Sequence, residues 1–258
     1  MQDIIIMGAN GRMGQTLVRF VNAEEGLNLA GVTERAGNEG GLERLGCKVS
    51  ADADELFAQC PGATVIDFTA PKATMHMVSR AVKHGLCAVI GTTGLSADDF
   101  VTLEEAAREV PLFYAPNMSQ GVNVLLKVLP QLVKLLGEGF DMEMVETHHK
   151  MKKDAPSGTA IKLAQCLAEA RGWDYDEVKN YTRDGIIGER PGKEIGVQTL
   201  RGGDVVGEHT VYFYGMGERI EVTHRAHSRD MFAGGAVTAA KWLHGRKPGK
   251  LYNMQDIF

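Results

Sequence analysis

The first twenty residues leave this chain little freedom of fold. Asp3-Ile4-Ile5-Ile6-Met7 is a short continuous apolar run, the pattern of a strand buried on both faces. Gly8-Ala9-Asn10-Gly11-Arg12-Met13-Gly14 follows, and apolar residues then recur with helical spacing at Leu17, Val18, Phe20 and Val21. Strand, glycine-rich turn and helix, in that order, make a unit that cradles a dinucleotide. Small residues let the backbone approach a pyrophosphate, which rests on the open amides of the helix start. The spacing is Gly-x-x-Gly-x-x-Gly rather than the commoner Gly-x-Gly-x-x-Gly. By itself such a run is an ordinary tight turn; the strand before it and the helix after it give it weight. A second strand, Leu27 to Thr33, ends in Glu34-Arg35, where a ribose-reading residue is expected. Glu34 would accept hydrogen bonds from ribose hydroxyls, which favours NADH, and Arg35 would pair with the 2′-phosphate of NADPH. Having both predicts use of either cofactor.

The alternation continues downstream. Thr64 to Thr69 reads as a strand, Pro71 suits the first turn of a helix running to about His84, and Cys87 to Ile90 is a strand ending in the loop Gly91-Thr92-Thr93-Gly94. Ser96-x-x-Asp99 caps a helix through Arg108, and Leu112 to Ala115 is a further short strand. Strands alternating with helices imply a doubly wound parallel sheet. From Phe140 the pattern changes. Phe140 to Thr147, Glu194 to Arg201, Val205 to Val206, His209 to Tyr214 and Glu218 to His224 read as strands, with Gly215-Met216-Gly217 as a hairpin turn. This clustering predicts a mixed, mostly antiparallel sheet with helices, an α+β second domain. Asp184 to Gly192 reads as a long loop of the kind that carries function.

The densest chemistry lies at Glu146-Thr147-His148-His149-Lys150-Met151-Lys152-Lys153-Asp154-Ala155-Pro156-Ser157-Gly158-Thr159. Two histidines and three lysines fall within six positions at the end of a predicted strand. Imidazole exchanges protons near neutrality. A lysine set among cations is a stronger acid than a free one. Adjacent residues on an extended chain face opposite ways, so the two imidazoles are expected to serve different parts of a site. Ser157 or Thr159 can cap the helix implied by Ile161, Leu163, Ala164, Leu167 and Ala168, and open amides at that helix start would bind a carboxylate. A solvated basic loop is the bland alternative; paired histidines beside a small-residue helix start argue against it.

A chain of 258 residues can bury one or two sizeable cores, and 44% hydrophobic with 24% charged residues is ordinary for a globular protein. A net charge of −5 points to neither nucleic acid nor an acidic membrane as partner. No apolar run reaches the roughly 18 residues of a membrane span, and the N-terminus lacks a signal-peptide pattern. Cys47, Cys60, Cys87 and Cys166 are scattered and read as reduced packing residues, so the expected location is cytoplasmic. Adjacent His148 and His149 do not chelate one ion well, and no metal is expected.

Taken together, these segments resemble the 4-hydroxy-tetrahydrodipicolinate reductase (dihydrodipicolinate reductase) family of lysine and diaminopimelate biosynthesis. The resemblance rests on Gly8-x-x-Gly11-Arg12-Met13-Gly14 and on Glu146-x-His148-His149-x-x-Lys152-x-Asp154-Ala155-Pro156-Ser157-Gly158-Thr159. Further matches are Gly91-Thr92-Thr93-Gly94, Ala115-Pro116-Asn117-Met118-Ser119, Gly121-Val122-Asn123 and His224-Arg225-Ala226-His227-Ser228-Arg229. It spans the whole chain. It implies a Rossmann-like dinucleotide-binding domain, 1–118, completed by 230–258 through the last helix, and a substrate-binding and oligomerisation domain, 119–229. It implies NAD(P)H-dependent reduction of a cyclic dicarboxylate: hydride to ring C4, a proton to the neighbouring carbon. His148 would exchange the proton and Lys152 would donate one. His149, Ser157, Gly158 and Thr159 would hold the substrate carboxylates. Gly8, Ala9, Asn10, Gly11, Arg12, Met13, Glu34, Arg35, Gly91, Thr92, Thr93, Ala115, Pro116, Asn117 and Met118 would hold the cofactor. The family also implies a homotetramer through the second domain, with Val211 and Phe213 on one sheet face and Tyr212 and Tyr214 on the other. A reductase of the same build acting on another cyclic imine acid, and a non-enzymatic nucleotide sensor, are the alternatives. An aldehyde dehydrogenase is disfavoured, because no cysteine sits in a nucleophile motif.

Overall fold

The computed structural model describes all 258 residues. The first elements in chain order are β1 (Gln2–Met7), α1 (Arg12–Ala23), β2 (Leu27–Thr33), β3 (Lys48–Ser50), α2 (Ala53–Gln59), β4 (Thr64–Asp67), α3 (Pro71–His84), β5 (Cys87–Ile90), α4 (Ala97–Ala106) and β6 (Leu112–Tyr114). They are followed by α5 (Gln120–Leu136), β7 (Asp141–His148), α6 (Gly158–Arg171), α7 (Tyr175–Val178), β8 (Lys179–Asn180), β9 (Ile195–Arg201), β10 (Gly207–Gly215), β11 (Glu218–Ala226), α8 (Asp230–Leu243) and β12 (Leu251–Tyr252). The chain divides into two compact units, Met1–Gln120 with Asp230–Phe258, and Gly121–Arg229.

The first unit is a seven-stranded sheet in the order β12-β6-β5-β4-β1-β2-β3, with every pairing parallel. The apolar run of β1 is explained by burial on both faces. Ile4 and Ile6 pack with Leu17 and Val21 of α1 and Ala236 and Ala240 of α8. Ile5 packs on the opposite side with Leu56 of α2, Met77 and Val78 of α3 and Leu103 of α4. Local chemistry sets the helix ends. Pro71 opens α3 and Gly85 closes it at φ +66°, and Ser96 and Asp99 form a capping box on α4. The strand order reverses direction between β1 and β4, and in open α/β sheets ligands bind at such a switch, beyond the carboxyl ends of the strands.

The second unit holds a five-stranded sheet in the order β11-β10-β7-β9-β8. β10 runs antiparallel to β11 and β7, whereas β9 runs parallel to β7 and β8. The sheet is thus mixed, with parallel and antiparallel pairings in equal number rather than mostly antiparallel. The cause is α6: a strand that returns through a helical crossover lands parallel to its predecessor. Val205–Val206, expected as a strand, instead lies in the connection into β10. Gly203 there takes φ +51°. The Gly202 amide donates to His148 O at 3.0 Å and Gly203 O accepts from the Lys150 amide at 3.2 Å, so this connection is tied to the loop after β7. One face of the sheet buries Met142, Met144, Val197, Val211 and Phe213 against Leu129 and Val133 of α5 and Leu163 and Leu167 of α6. Each fully buried leucine contributes roughly 1.5–3 kcal/mol. Tyr212 and Tyr214 lie on the other face, stacked with ring centroids 5.6 Å apart.

Candidate active site

In the first unit the glycine loop has the shape its spacing requires. Gly8 turns the chain at φ +68°, which a side chain disfavours. Gly11 caps α1 with extended backbone and no side-chain hydrogen bond, and no acid sits in the first helical turn, so this helix start is suited to receive an anion. A Cβ on Gly14 would lie 2.7 Å from Ala9 Cα, so only glycine lets the helix sit flush on the loop. Glu34, at the end of β2, accepts from the Asn10 amide at 3.0 Å and from the Arg35 amide at 2.9 Å. Its side chain is 8% exposed, while that of Arg35 is 87% exposed, 3.9 Å away. A glycine-lined turn, a helix start without a side-chain cap and an acid poised beside them fit a dinucleotide.

The loops after β5 and β6 are only partly as expected. The Gly91 amide donates to Asp67 O at 2.8 Å, and a Cβ at Gly91 would fall inside the Phe68 ring. Thr92 is buried, and its hydroxyl turns inward to Thr74 Oγ1 at 2.9 Å and Asp67 Oδ2 at 3.2 Å. Asp67 is fully buried and also takes the Thr69 and Thr74 hydroxyls at 2.6 and 2.5 Å. Burial pushes its carboxyl upward, against the pull of those hydroxyls. The Thr92 hydroxyl is therefore spent inside the protein and not free for a cofactor; Thr93 is the exposed threonine of the pair. Met118 is likewise core, 1% exposed and packed with Ala233 and Ala236. Asn117 Oδ1 accepts from the Ser119 amide at 2.9 Å.

In the second unit β7 delivers Glu146 and His148 to the same face, two residues apart. Glu146 is fully buried. It accepts from His148 Nδ1 at 2.5 Å, from Arg201 Nη1 and Nη2 at 2.9 Å each, from the Ser157 amide at 2.9 Å and from the Thr199 hydroxyl at 3.3 Å. Burial alone would raise this carboxyl, but the hydrogen bonds of Arg201, His148 and Ser157 outweigh it and hold the group below the ordinary glutamate range. Burial presses His148 below its ordinary value, against the hydrogen bond and charge of Glu146, and the charges of Lys152 and Arg201 press the same way as burial. His209 of β10 is registered opposite Glu146, with its ring 5.2 Å from that of His148. Burial, helped by His148, pushes it down to about 4, so it is neutral at working pH.

Beyond β7 the Lys152 amide donates to His149 O at 3.1 Å, and Lys152 Nζ donates to Asp154 Oδ1 at 2.9 Å. The nearest charge to this ammonium is thus an anion, Asp154, which offsets the neighbouring cations that the sequence sets around it. Ser157 caps α6, accepting from the Ala160 amide at 3.2 Å, and its hydroxyl contacts His209 Nε2 at 3.1 Å. It is 2% exposed. Its amide and hydroxyl are committed within the protein, so it anchors the helix start rather than offering a free hydroxyl to a substrate. Gly158 follows with open space around its α-carbon. An imidazole held at one nitrogen, an ammonium and a helix start thus fall within about a dozen residues, an arrangement suited to proton exchange beside a bound anion. Glu146 and Asp154 of this cluster stand in the matched segment without a role assigned from sequence, and Arg201 and His209 were not singled out at all. For Glu146 the i, i+2 spacing to His148 was the available signal. Arg201 and His209 are brought in by strand register alone. No three His, Cys, Asp or Glu side chains gather as a metal site, and no helix is long and apolar enough to cross a membrane.

Comparison with known proteins agrees over both units. Residues 2–118 match the family model described as dihydrodipicolinate reductase, N-terminus, and residues 121–258 the one described as its C-terminus. A 4-hydroxy-tetrahydrodipicolinate reductase of Oleidesulfovibrio alaskensis is 60% identical over 255 residues, covering 99% of this chain and 98% of that protein. One of Nitratidesulfovibrio vulgaris (strain DP4) is 62% identical with the same coverage. A dipicolinate-bound dihydrodipicolinate reductase from Paenisporosarcina sp. TG-14 superposes over 100% of both chains with a TM-score of 0.79 at 23% identity, a likeness of fold. Matched from one end to the other at more than half of its positions, the chain belongs to the dihydrodipicolinate reductase family.

Proposed function

We propose that this enzyme uses NADH or NADPH to reduce 4-hydroxy-tetrahydrodipicolinate, by way of its dehydrated cyclic imine, to tetrahydrodipicolinate in lysine and diaminopimelate biosynthesis. The observation that carries the reading is the loop from His148 to Thr159, where a carboxylate-held imidazole and an ammonium precede a helix start. A dianionic ring suits that chemistry. Gly158 and Thr159 at the start of α6, with His149, hold its carboxylates, and His148 and Lys152 manage the proton that balances hydride addition. The bound nicotinamide supplies the hydride. Gly8 to Met13 carry the pyrophosphate, Glu34 and Arg35 read the ribose end, and the backbone of Gly91 to Thr93 and of Ala115 to Asn117 borders the nicotinamide end.

Two further readings go with this one. The four free thiols suit a reducing, cytoplasmic setting. The stacked Tyr212 and Tyr214, with Tyr214 38% exposed, line a groove with Arg183, Ile187 and Arg190 on a sheet face that no helix covers fully, which supports a homotetramer assembled through the second unit. The test of function is a coupled assay in which dihydrodipicolinate synthase makes the labile substrate in place and oxidation of NADH and NADPH is followed in parallel. Turnover with both is expected. Absence of turnover with either, or faster turnover of a different cyclic imine acid, would replace this substrate assignment.

A further inference from the structure

Glu146 makes more contacts than a packing residue needs. Arg201 supplies two guanidinium N–H groups and Ser157 a backbone N–H, and none of these can accept. The carboxyl therefore accepts from all three, and against burial the Arg201 guanidinium paired with both of its oxygens keeps it ionised at neutral pH, below the ordinary glutamate range. An ionised carboxylate cannot donate, so the 2.5 Å contact to His148 requires the hydrogen on Nδ1. The neutral ring then carries its lone pair on Nε2. That atom lies over Gly207, where a Cβ would come within 2.9 Å of it. The same carboxylate grips the amide of the residue that caps α6. One buried group thus sets both the imidazole and the helix start.

We propose that Glu146 is a positioning residue for the reductase reaction: ionised and clamped by Arg201, it fixes neutral His148 as the Nδ1–H tautomer and presents Nε2 as the atom that exchanges the proton. This rests on the proton-exchange role given to His148 above. The charged and titratable groups around the ring are Glu146 on its own strand, Lys152 and Asp154 on the following loop, Arg201 on β9 and His209 on β10. Glu146 is the one anion that hydrogen-bonds the ring.

Glu146→Gln discriminates sharply. The amide oxygen is best placed on the side facing Ser157, Thr199 and one Arg201 nitrogen, where it still accepts three hydrogen bonds. The amide NH2 then faces His148 Nδ1, which must become an acceptor, and the ring hydrogen moves to Nε2. Nitrogen-15 NMR of histidine-labelled protein reads this directly, with the His148 signal assigned by its loss in His148→Gln. The unsubstituted protein at pH 7.5 is expected to show Nδ1–H; Nε2–H there overturns the proposal without any further variant. Glu146→Gln is expected to show Nε2–H, with kcat lower by about 10²-fold and KM within a few-fold. The pH limb that reports His148 should move to lower pH, because the ring has lost its anionic partner. A merely structural role would leave the ring hydrogen and the pH limb in place. Parent-like turnover of His148→Gln sinks this proposal and the proton assignment together. An unmoved hydrogen or parent-like kcat in Glu146→Gln, with His148→Gln inactive, sinks this proposal alone.

Discussion

Arg201→Met isolates the electrostatics of the site from its chemistry. Glu146 is fully buried, and Arg201, 20% exposed, supplies two of its five hydrogen bonds. Removing one partner of a buried ion pair costs about 3–5 kcal/mol, because the other charge is left uncompensated. Three donors remain on Glu146 and the guanidinium edge is already wet, so the lower end, about 3 kcal/mol, applies at neutral pH. The pH dependence follows from the direction of the shift. A carboxyl held below its ordinary value stabilises the fold above the unfolded pKa of about 4.3 and loses that contribution as pH falls through the folded value. The gap between parent and variant should therefore be full at pH 7.5 and shrink on acidification toward pH 4, where Glu146 of the variant is protonated and no buried charge remains. Urea unfolding at the two pH values, followed by tryptophan fluorescence with Trp173 reporting the second unit, measures both gaps. A loss under about 1 kcal/mol at pH 7.5, or an equal loss at both pH values, would refute the argument that Glu146 is a clamped anion.

Four other outcomes are expected. His148→Gln and Lys152→Ala should each lower kcat by about 10²-fold or more while leaving cofactor affinity nearly unchanged; near-parent turnover in both removes the proton assignment. Thr159→Val and His149→Ala should raise KM more than they lower kcat and should weaken competition by pyridine-2,6-dicarboxylate, since carboxylate contacts serve ground and transition states alike; unchanged inhibition places the dicarboxylate elsewhere. Arg35→Ala should weaken NADPH by about tenfold and NADH little, with the difference shrinking at high salt as an 87% exposed side chain requires; equal losses for both cofactors mean stacking on the adenine instead. Light scattering at micromolar concentration should give a tetramer mass, and Tyr214→Glu at the exposed edge of that face should shift it downward; a monomeric parent refutes the assembly.

What the sequence made legible was whatever a few neighbouring residues encode. Strand, glycine turn and helix at the N-terminus, helix Pro71–His84, strand Cys87–Ile90 and the Ser96 cap all lie where local pattern placed them. The strands Lys179–Asn180 and Leu251–Tyr252 are two residues each and have no period to read. The parallel pairing of β7 with β9 joins residues about fifty apart through a helix, and local pattern carries no sign of it. The same limit governed the site. His148, Lys152 and the α6 cap lie in one segment and stood out, whereas Arg201 reaches Glu146 across 55 residues and His209 reaches Ser157 across 52. Inward rotation of Thr92 depends on Asp67 and Thr74, two elements upstream, and could only be seen in three dimensions.

The first unit is interrupted by the whole of the second, and its sheet and one of its cores are finished by the last stretch of chain. Ala236, Ala240 and Leu243 of α8 close the layer over Ile4 and Ile6, and β12 adds the edge beside β6. During synthesis the residues up to Gln120 emerge first but lack that layer, whereas Gly121–Arg229 are continuous and complete in themselves. The inserted unit is therefore expected to reach its native state on the ribosome ahead of the unit that precedes it, reversing the usual N-terminal-first order. It also moves the vulnerability of the chain. A stop codon or proteolytic cut near residue 230 spares the neighbouring sheet and instead exposes the apolar face of β1 and α1, so C-terminal truncations are expected to abolish nucleotide binding before they disturb the fold around His148.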